Sequence, residues 1–214
     1  MKTALLTLLI MLFACMLQAQ LMDSIKVALK SKPRLSFRFD NRHSFVSTTQ
    51  AKINAVKIGA EYDYVFRMGL GYNQLYSTVT RNEVLRNNGL PYDTVTSFLK
   101  LWFISAYSEY VFFLTRRWEF SVPLQLGVGY SKFNYSYNNE NFTNRRHLIA
   151  VYEAGINGHY KLIPGLGVGA GMGYSLMLID NPAINENFNT PIYSFRIKVF
   201  LGDIYRLIVK KKRE

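Results

Sequence analysis

An all-β protein, an eight-stranded antiparallel up-and-down barrel that crosses a membrane, is the fold this sequence predicts. One observation is the run from Gly165 to Ser175, where glycine or serine alternates with Leu166, Val168, Ala170, Met172 and Tyr174. A period of two is the mark of a β-strand, and here one face is stripped to small residues while the other is apolar. The second observation is that the alternation recurs along the chain with charged residues on the small-residue face, as in a barrel apolar outside and polar inside. The third is that short and long connections alternate, as in barrels with tight turns at one end and long loops at the other.

Eight segments carry the alternation. Arg34 to Asp40 sets Leu35, Phe37 and Phe39 against Ser36, Arg38 and Asp40. Ile53 to Tyr64 opposes Val56, Ile58, Ala60 and Tyr62 to Lys57, Gly59, Glu61 and Asp63. Arg67 to Val79 follows, with Gly69, Gly71 and Asn73 on its small face. Ser97 to Phe112 is apolar on both faces around Leu101 to Ile104, so its phase stays open. Trp118 to Ser131 is the cleanest, and its apolar set then changes phase at Phe133, Tyr135 and Tyr137, which suggests a bulge or the membrane exit. Arg146 to Lys161, the glycine-rich segment and Ile192 to Gly202 complete the set.

Tight links are expected at Val65-Phe66, Phe113 to Arg117 and Leu162 to Pro164, and long ones at Asn41 to Lys52, Thr80 to Val95, Asn138 to Arg145 and Leu178 to Pro191. An even strand count returns both termini to the tight-turn side. Aromatic residues gather near both ends: Tyr62, Tyr64, Phe112, Phe113, Trp118 and Tyr160 by the tight turns, Tyr76, Tyr130, Tyr135, Tyr137 and Tyr193 by the loops. Two such bands suit the headgroup boundaries of a bilayer.

Residues 1–19 read as an export signal: Lys2, then the apolar stretch Ala4 to Leu17, then Ala19 before a mature start at Gln20. Cys15, the single cysteine, lies within it. Leu12-Phe13-Ala14-Cys15 resembles a lipobox, but bulky Phe13 and the apolar run beyond the cysteine favour ordinary cleavage. Residues 20–33 form a lead-in with one or two turns of helix ended by Pro33, residues 34–206 the barrel, and residues 207–214 a basic tail. The net charge of +12 over 214 residues would suit nucleic acid, but the cations are dispersed and the chain is exported. Phosphate-bearing lipid is the better counter-charge, and no nucleic-acid partner is expected.

This pattern of strands and loops resembles the small eight-stranded bacterial outer-membrane barrels of the OmpA, OmpX and OmpW type. The resemblance implies a Gram-negative outer membrane and recognition by the barrel-assembly machinery. Such barrels often end on an aromatic residue; here Tyr193 to Phe200 has the alternation, yet the chain continues to Glu214.

The small-residue face gathers Arg38, Lys57, Glu61, Glu109, Glu119, Gln125, Glu153, Asn157, Arg196 and Lys198. Eight strands enclose a lumen that side chains fill, so these groups should pair into a plug rather than line a pore. Arg42, Arg81, Arg86, Arg145 and Arg146 are expected in the loops, within reach of lipopolysaccharide phosphates. No catalytic residue, cofactor or metal is expected. His43, His147 and His159 lack metal-ligand spacing, and His147 and Glu153, ~20 Å apart on one strand, cannot form an acid/base pair. Gly165, Gly167 and Ala170 match a dinucleotide pattern, but strict alternation runs through it where a helix should open. The predicted role is non-enzymatic, structural or surface-interacting; the alternatives are a lipid-modifying barrel enzyme, a channel for small hydrophobic ligands or solutes, and a soluble lipocalin-type barrel with its apolar face inward.

Overall fold

The computed structural model describes residues 20–46, 49–87, 90–137, 140–143, 146–163, 165–179 and 189–199. The proposed export signal and basic tail lie outside the described residues.

Strands β1 (Arg34–Val46), β2 (Thr49–Tyr62), β3 (Phe66–Leu75), β4 (Thr80–Asn87) and β5 (Leu90–Leu114) form the first half of the sheet. Strands β6 (Trp118–Tyr137), β7 (Glu140–Thr143), β8 (His147–Ile163), β9 (Leu166–Ile179) and β10 (Thr190–Val199) form the second. Every pairing is antiparallel, and the ring closes where β10 returns to β1, from Phe37 opposite Val199 to Ser44 opposite Ile192. β3 and β4 lie in succession along one edge of β5, and β8 and β7 along one edge of β6, so ten ladder segments make eight staves. The fold is an eight-stranded antiparallel up-and-down barrel.

Two of the four long connections are shorter than the polar composition of their residues suggests. The β1–β2 ladder runs on to Val46 opposite Thr49, and residues 80–95 fold largely as the β4–β5 hairpin rather than a loop. Asn, Thr, Ser and Gln read as loop formers in isolation, but a neighbouring ladder supplies their backbone hydrogen bonds and carries the strand past the apolar band.

The first tight turn is centred two residues before the expected link. Asp63 and Tyr64 both have positive φ, 48° and 60°, and Val65 N–H donates to the Tyr62 carbonyl at 3.0 Å. This is a type I′ hairpin turn, whose twist matches that of the flanking strands. Tyr64 is unusual there; the Arg34 guanidinium lies 4.2 Å from its ring centroid. Gly165 belongs to a turn at φ 97° rather than to the strand, which begins at Leu166. The lead-in helix spans residues 20–29, longer than the one or two turns expected, and buries Ala28.

The open phase of β5 is settled by its neighbours. Leu99, Leu101, Phe103, Ser105, Tyr107 and Glu109 point inward, while Trp102 and Ile104 point outward. β6 shows no bulge where its composition changes phase. Burial alternates without a break from Gly127 through Gly129 and Ser131 to Phe133. It is the chemistry of the interior that changes: toward the long-hairpin end, polar groups give way to Phe133, Leu99, Leu101, Phe103, Ile149 and Val151. An apolar cluster therefore caps the interior at that end.

Candidate functional site: the charged lumen

Alternation forces every second side chain of each stave toward the axis, where the walls exclude water. Arg38, Lys57, Glu61, Glu109, Glu119, Gln125, Glu153, Asn157, Arg196 and Lys198 are all buried there. Beside them stand Asp40, Arg42, Arg67, Asn73 and His159, which the sequence reading left out of the network. Among the described residues, six cations (Arg38, Arg42, Lys57, Arg67, Arg196, Lys198) thus meet five carboxylates (Asp40, Glu61, Glu109, Glu119, Glu153) in one interior.

The cluster nearest the tight turns is built around Arg67, whose side chain is 0% exposed. Its two terminal nitrogens donate to Glu119 Oε1 and Oε2 at 2.8 and 2.6 Å, its Nε donates to Glu61, and Glu109 lies 3.7 Å away. Lys198 Nζ reaches both Glu119 oxygens, at 3.2 and 3.3 Å, and Glu61 at 3.2 Å. Glu109 accepts from Arg38 and from the Ser121 hydroxyl. The bidentate fork of Arg67 on Glu119 is the geometry in which a desolvated pair recovers most of its hydration cost.

One layer up, Asp40 sits between Lys57 Nζ at 2.8 Å and Arg196 Nε at 3.5 Å. Tyr107 supplies a ring face to Arg38 and Lys57, at 4.8 and 5.3 Å from its centroid. Above this, Arg42 donates to Glu153 and to Asn73, whose amide donates in turn to Ser105 Oγ at 2.9 Å and the Phe103 carbonyl at 3.2 Å. Gln125 Nε2 donates to the same Asn73 oxygen at 3.4 Å. The Phe103 ring lies under Arg42, so the polar stack meets the apolar cap at this point.

Glycines on the inner face make room for these long side chains. A Cβ on Gly71 would stand 2.9 Å from Ser105 Oγ and 3.0 Å from Lys57 Cγ. One on Gly127 would meet the Phe103 ring at 2.5 Å.

Arg42 corrects the loop assignment. It is buried, 2% exposed, and paired with Glu153, because β1 continues as strand through Val46 and keeps Arg38, Asp40 and Arg42 on one face. That i, i+2, i+4 spacing was a signal present in the sequence. Arg67 was signalled in the same way by its phase with Gly69, Gly71 and Asn73. Of the remaining loop arginines, Arg81 and Arg86 belong to β4, Arg146 is exposed immediately before β8, and Arg145 falls outside the described residues.

Glu109, Glu119 and His159 bring potential ligand atoms within 4.8 Å of one another. The donor set does not suit a metal ion. Both Glu119 oxygens are taken by Arg67 and Lys198, and Glu109 by Arg38 and Ser121, so an entering cation would face guanidinium and ammonium charge. His147 and Glu153 stand six residues apart on β8, and Glu153 is occupied by Arg42.

The outward face has the opposite character. Leu70, Val128, Leu126 and Ile58 are each more than half exposed, in a continuous apolar wall. Near the tight turns Trp118 stacks on Phe120, at 6.0 Å between centroids, and meets Tyr160 edge-on at 5.0 Å. A register shift between Val111 and Phe113 leaves both Phe112 and Phe113 exposed beside them. Near the long hairpins Tyr72, Trp102 and Tyr130 form a second run of rings.

Together the closed ring, the apolar outside and the ion-paired inside define the class: the small eight-stranded barrels built for an apolar surround. Solved structures of similar fold include Neisserial surface protein A, with 13% identity over 78% of this chain and 95% of that one (TM-score 0.45). The N-terminal β-barrel domain of Pseudomonas aeruginosa OprF is similar at 9% identity over 78% and 98% (TM-score 0.46). A major outer membrane protein of Thermus thermophilus is similar at 12% identity over 77% and 97% (TM-score 0.48). No protein-family model and no curated protein sequence matches the chain.

Proposed function

We propose that the protein is a non-enzymatic integral barrel of a Gram-negative outer membrane, exported by residues 1–19, with a lumen sealed by ion pairs. Its role on this reading is structural or surface-interacting, exercised from the long-hairpin end. The observation that carries it is the inversion of the two faces. Leu70 and Val128, 58% and 57% exposed, look outward while Lys198 and Glu119, 1% and 0% exposed, look to the axis. A lipocalin-type barrel would need the reverse. Water would meet an apolar belt far larger than the few hundred Å² a soluble monomer leaves open.

The dimensions agree. Trp118 and Tyr130 stand at the two aromatic bands of one stave, twelve residues apart on β6. At the usual strand rise and a tilt of ~40° they are separated by ~30 Å along the barrel axis, the thickness of a hydrocarbon core. Against a channel stands the filled interior: the Arg67–Glu119 fork and the apolar cap over Phe103 occupy successive levels of the axis. Against catalysis stands the occupation of Glu109, Glu119 and Glu153 by arginines, which ties up these three buried carboxylates as candidate bases.

Lipopolysaccharide phosphates are the counter-charge we assign to exposed Arg146, and with it to Arg81, Arg86 and Arg145. The alternation in β10 up to Val199 supports delivery by the barrel-assembly machinery. Sodium carbonate extraction of membranes from cells producing the full chain tests the reading. The protein is expected to stay in the pellet and to fractionate with outer-membrane lipid; release into the supernatant would overturn it.

A further inference from the structure

Three successive outward-facing registers on the barrel wall change character in order. The lowest joins Phe39, Val56, Tyr72, Ile104 and Val128, each directly opposite the next across the strands, and is wholly apolar or aromatic. The next joins Asn41, Asn54, Gln74, Trp102 and Tyr130, amides giving way to rings. The third is cationic. His43 is opposite Lys52, whose carbonyl accepts from Tyr76 N–H at 2.7 Å and whose ammonium lies 5.4 Å from the Tyr76 ring centroid. Further round, Lys100 is directly opposite Lys132, and Arg146 lies beside Lys132, since the residue after Arg146 is His147, opposite Ser131.

Lys100 and Arg146 are exposed and Lys132 is half-buried. Among the described residues none of the three forms an ion pair. Like charges directly opposite on an antiparallel ladder repel, and here two such neighbours follow one another across β5, β6 and β8. The interior shows what this chain does with cations it means to neutralise: among the described residues, each of the six buried cations has a carboxylate within reach. Among the described residues the wall cations have none, which leaves their place open to an external counter-charge.

We infer that Lys100, Lys132 and Arg146 form a binding site for the phosphate of an anionic lipid, in the leaflet at the long-hairpin end of the barrel. This rests on the membrane-spanning reading above and deepens its assignment of lipid phosphate to Arg146, adding the place of the site and its partners Lys100 and Lys132. The register order selects a lipid over a free anion. Immediately below the three cations lie Trp102 and Tyr130, 5.8 Å between centroids, and below them Ile104 and Val128. A phosphate held by the cations hangs its acyl chains over those rings and aliphatic side chains. Strand tilt lifts a register by ~3 Å per strand, so three strands span ~6 Å, within one headgroup layer.

Trp102 reports on the site, because Trp118 is the only other tryptophan and sits in the opposite aromatic band. In a Trp118→Phe background the full chain is folded into phosphatidylcholine vesicles, and brominated phosphatidylglycerol or brominated phosphatidylcholine is mixed in as quencher. Brominated phosphatidylglycerol is expected to quench Trp102 with a roughly tenfold higher relative binding constant, the order expected for three partly screened cations. Lys100→Gln/Lys132→Gln/Arg146→Gln should bring that ratio close to one, while Lys100→Arg/Lys132→Arg keeps it. Equal ratios in the parent and the triple Gln variant would overturn the site. Absence of quenching by brominated phosphatidylcholine would overturn the membrane reading itself, so the two failures are told apart.

Discussion

Glu119→Gln is the sharpest perturbation of the lumen, because it removes one charge while leaving shape almost unchanged. Glu119 is 0% exposed and takes both terminal nitrogens of Arg67 together with Lys198. In its layer Arg38, Arg67 and Lys198 are balanced by Glu61, Glu109 and Glu119; the substitution leaves the three cations facing two carboxylates. Breaking a buried pair from one side costs ~3–5 kcal/mol, since the orphaned charge stays desolvated. Arg67 would keep Glu61 and a 3.7 Å approach to Glu109, and Lys198 would keep Glu61 at 3.2 Å, so the lower end, ~3 kcal/mol, is expected. With a urea slope of ~2 kcal/mol per M, the unfolding midpoint in lipid vesicles falls by ~1.5 M. Tryptophan emission and the mobility of unheated samples on gels both read that transition. Adding Lys198→Met to Glu119→Gln removes one of the orphaned cations and should recover ~1 kcal/mol or more, a coupling that only contacting residues show. A midpoint within ~0.3 M of the parent, below the ~1 kcal/mol typical of exposed pairs, would mean that water reaches this layer, and would refute the sealed lumen.

On the outer wall, Leu124 lies midway between Trp118 and Tyr130, and Leu124→Arg should destabilise the barrel in bilayers by ~2–4 kcal/mol, where Leu124→Ala costs less. Equal behaviour of the two variants in a vesicle-refolding titration would count against lipid contact at that level. Inside, a Cβ on Gly127 would press on Phe103 at 2.5 Å with the Ile104 carbonyl 3.3 Å away, so Gly127→Ala should cost ~1–3 kcal/mol and Gly127→Val more. A thermal unfolding midpoint unchanged by Gly127→Val would show that the apolar cap is looser than its packing indicates.

The legible part of this protein was what a period of two carries. Parity along β2, β6, β8 and β10 was enough to send Lys57, Glu119, Glu153 and Lys198 to one side, because adjacent residues of a strand must face opposite ways. Parity failed where composition stopped alternating. In β5 both faces are apolar, so only the register against Gly127 and Gly129 decides that Phe103 turns inward and Trp102 outward. Near Phe133 a change in chemistry resembled a change in phase, because the cap is as apolar as lipid. Strand ends were misplaced for a related reason: polar residues such as Asn41 and Arg42 stay in the ladder when a neighbour offers hydrogen bonds, and local composition does not report the neighbour.

Which residues share a face is thus a property of the chain alone, set by backbone geometry between neighbours in sequence. Which residues meet is not. Arg67 and Glu119 are 52 positions apart, Arg42 and Glu153 are 111 apart, and the cationic row on the wall draws Lys100, Lys132 and Arg146 from three separate staves. Those meetings depend on stagger between strands and on closure of β10 against β1. Closure curls the sheet until side chains from different strands crowd one axis, and a ring has a centre only once its last strand has found its first.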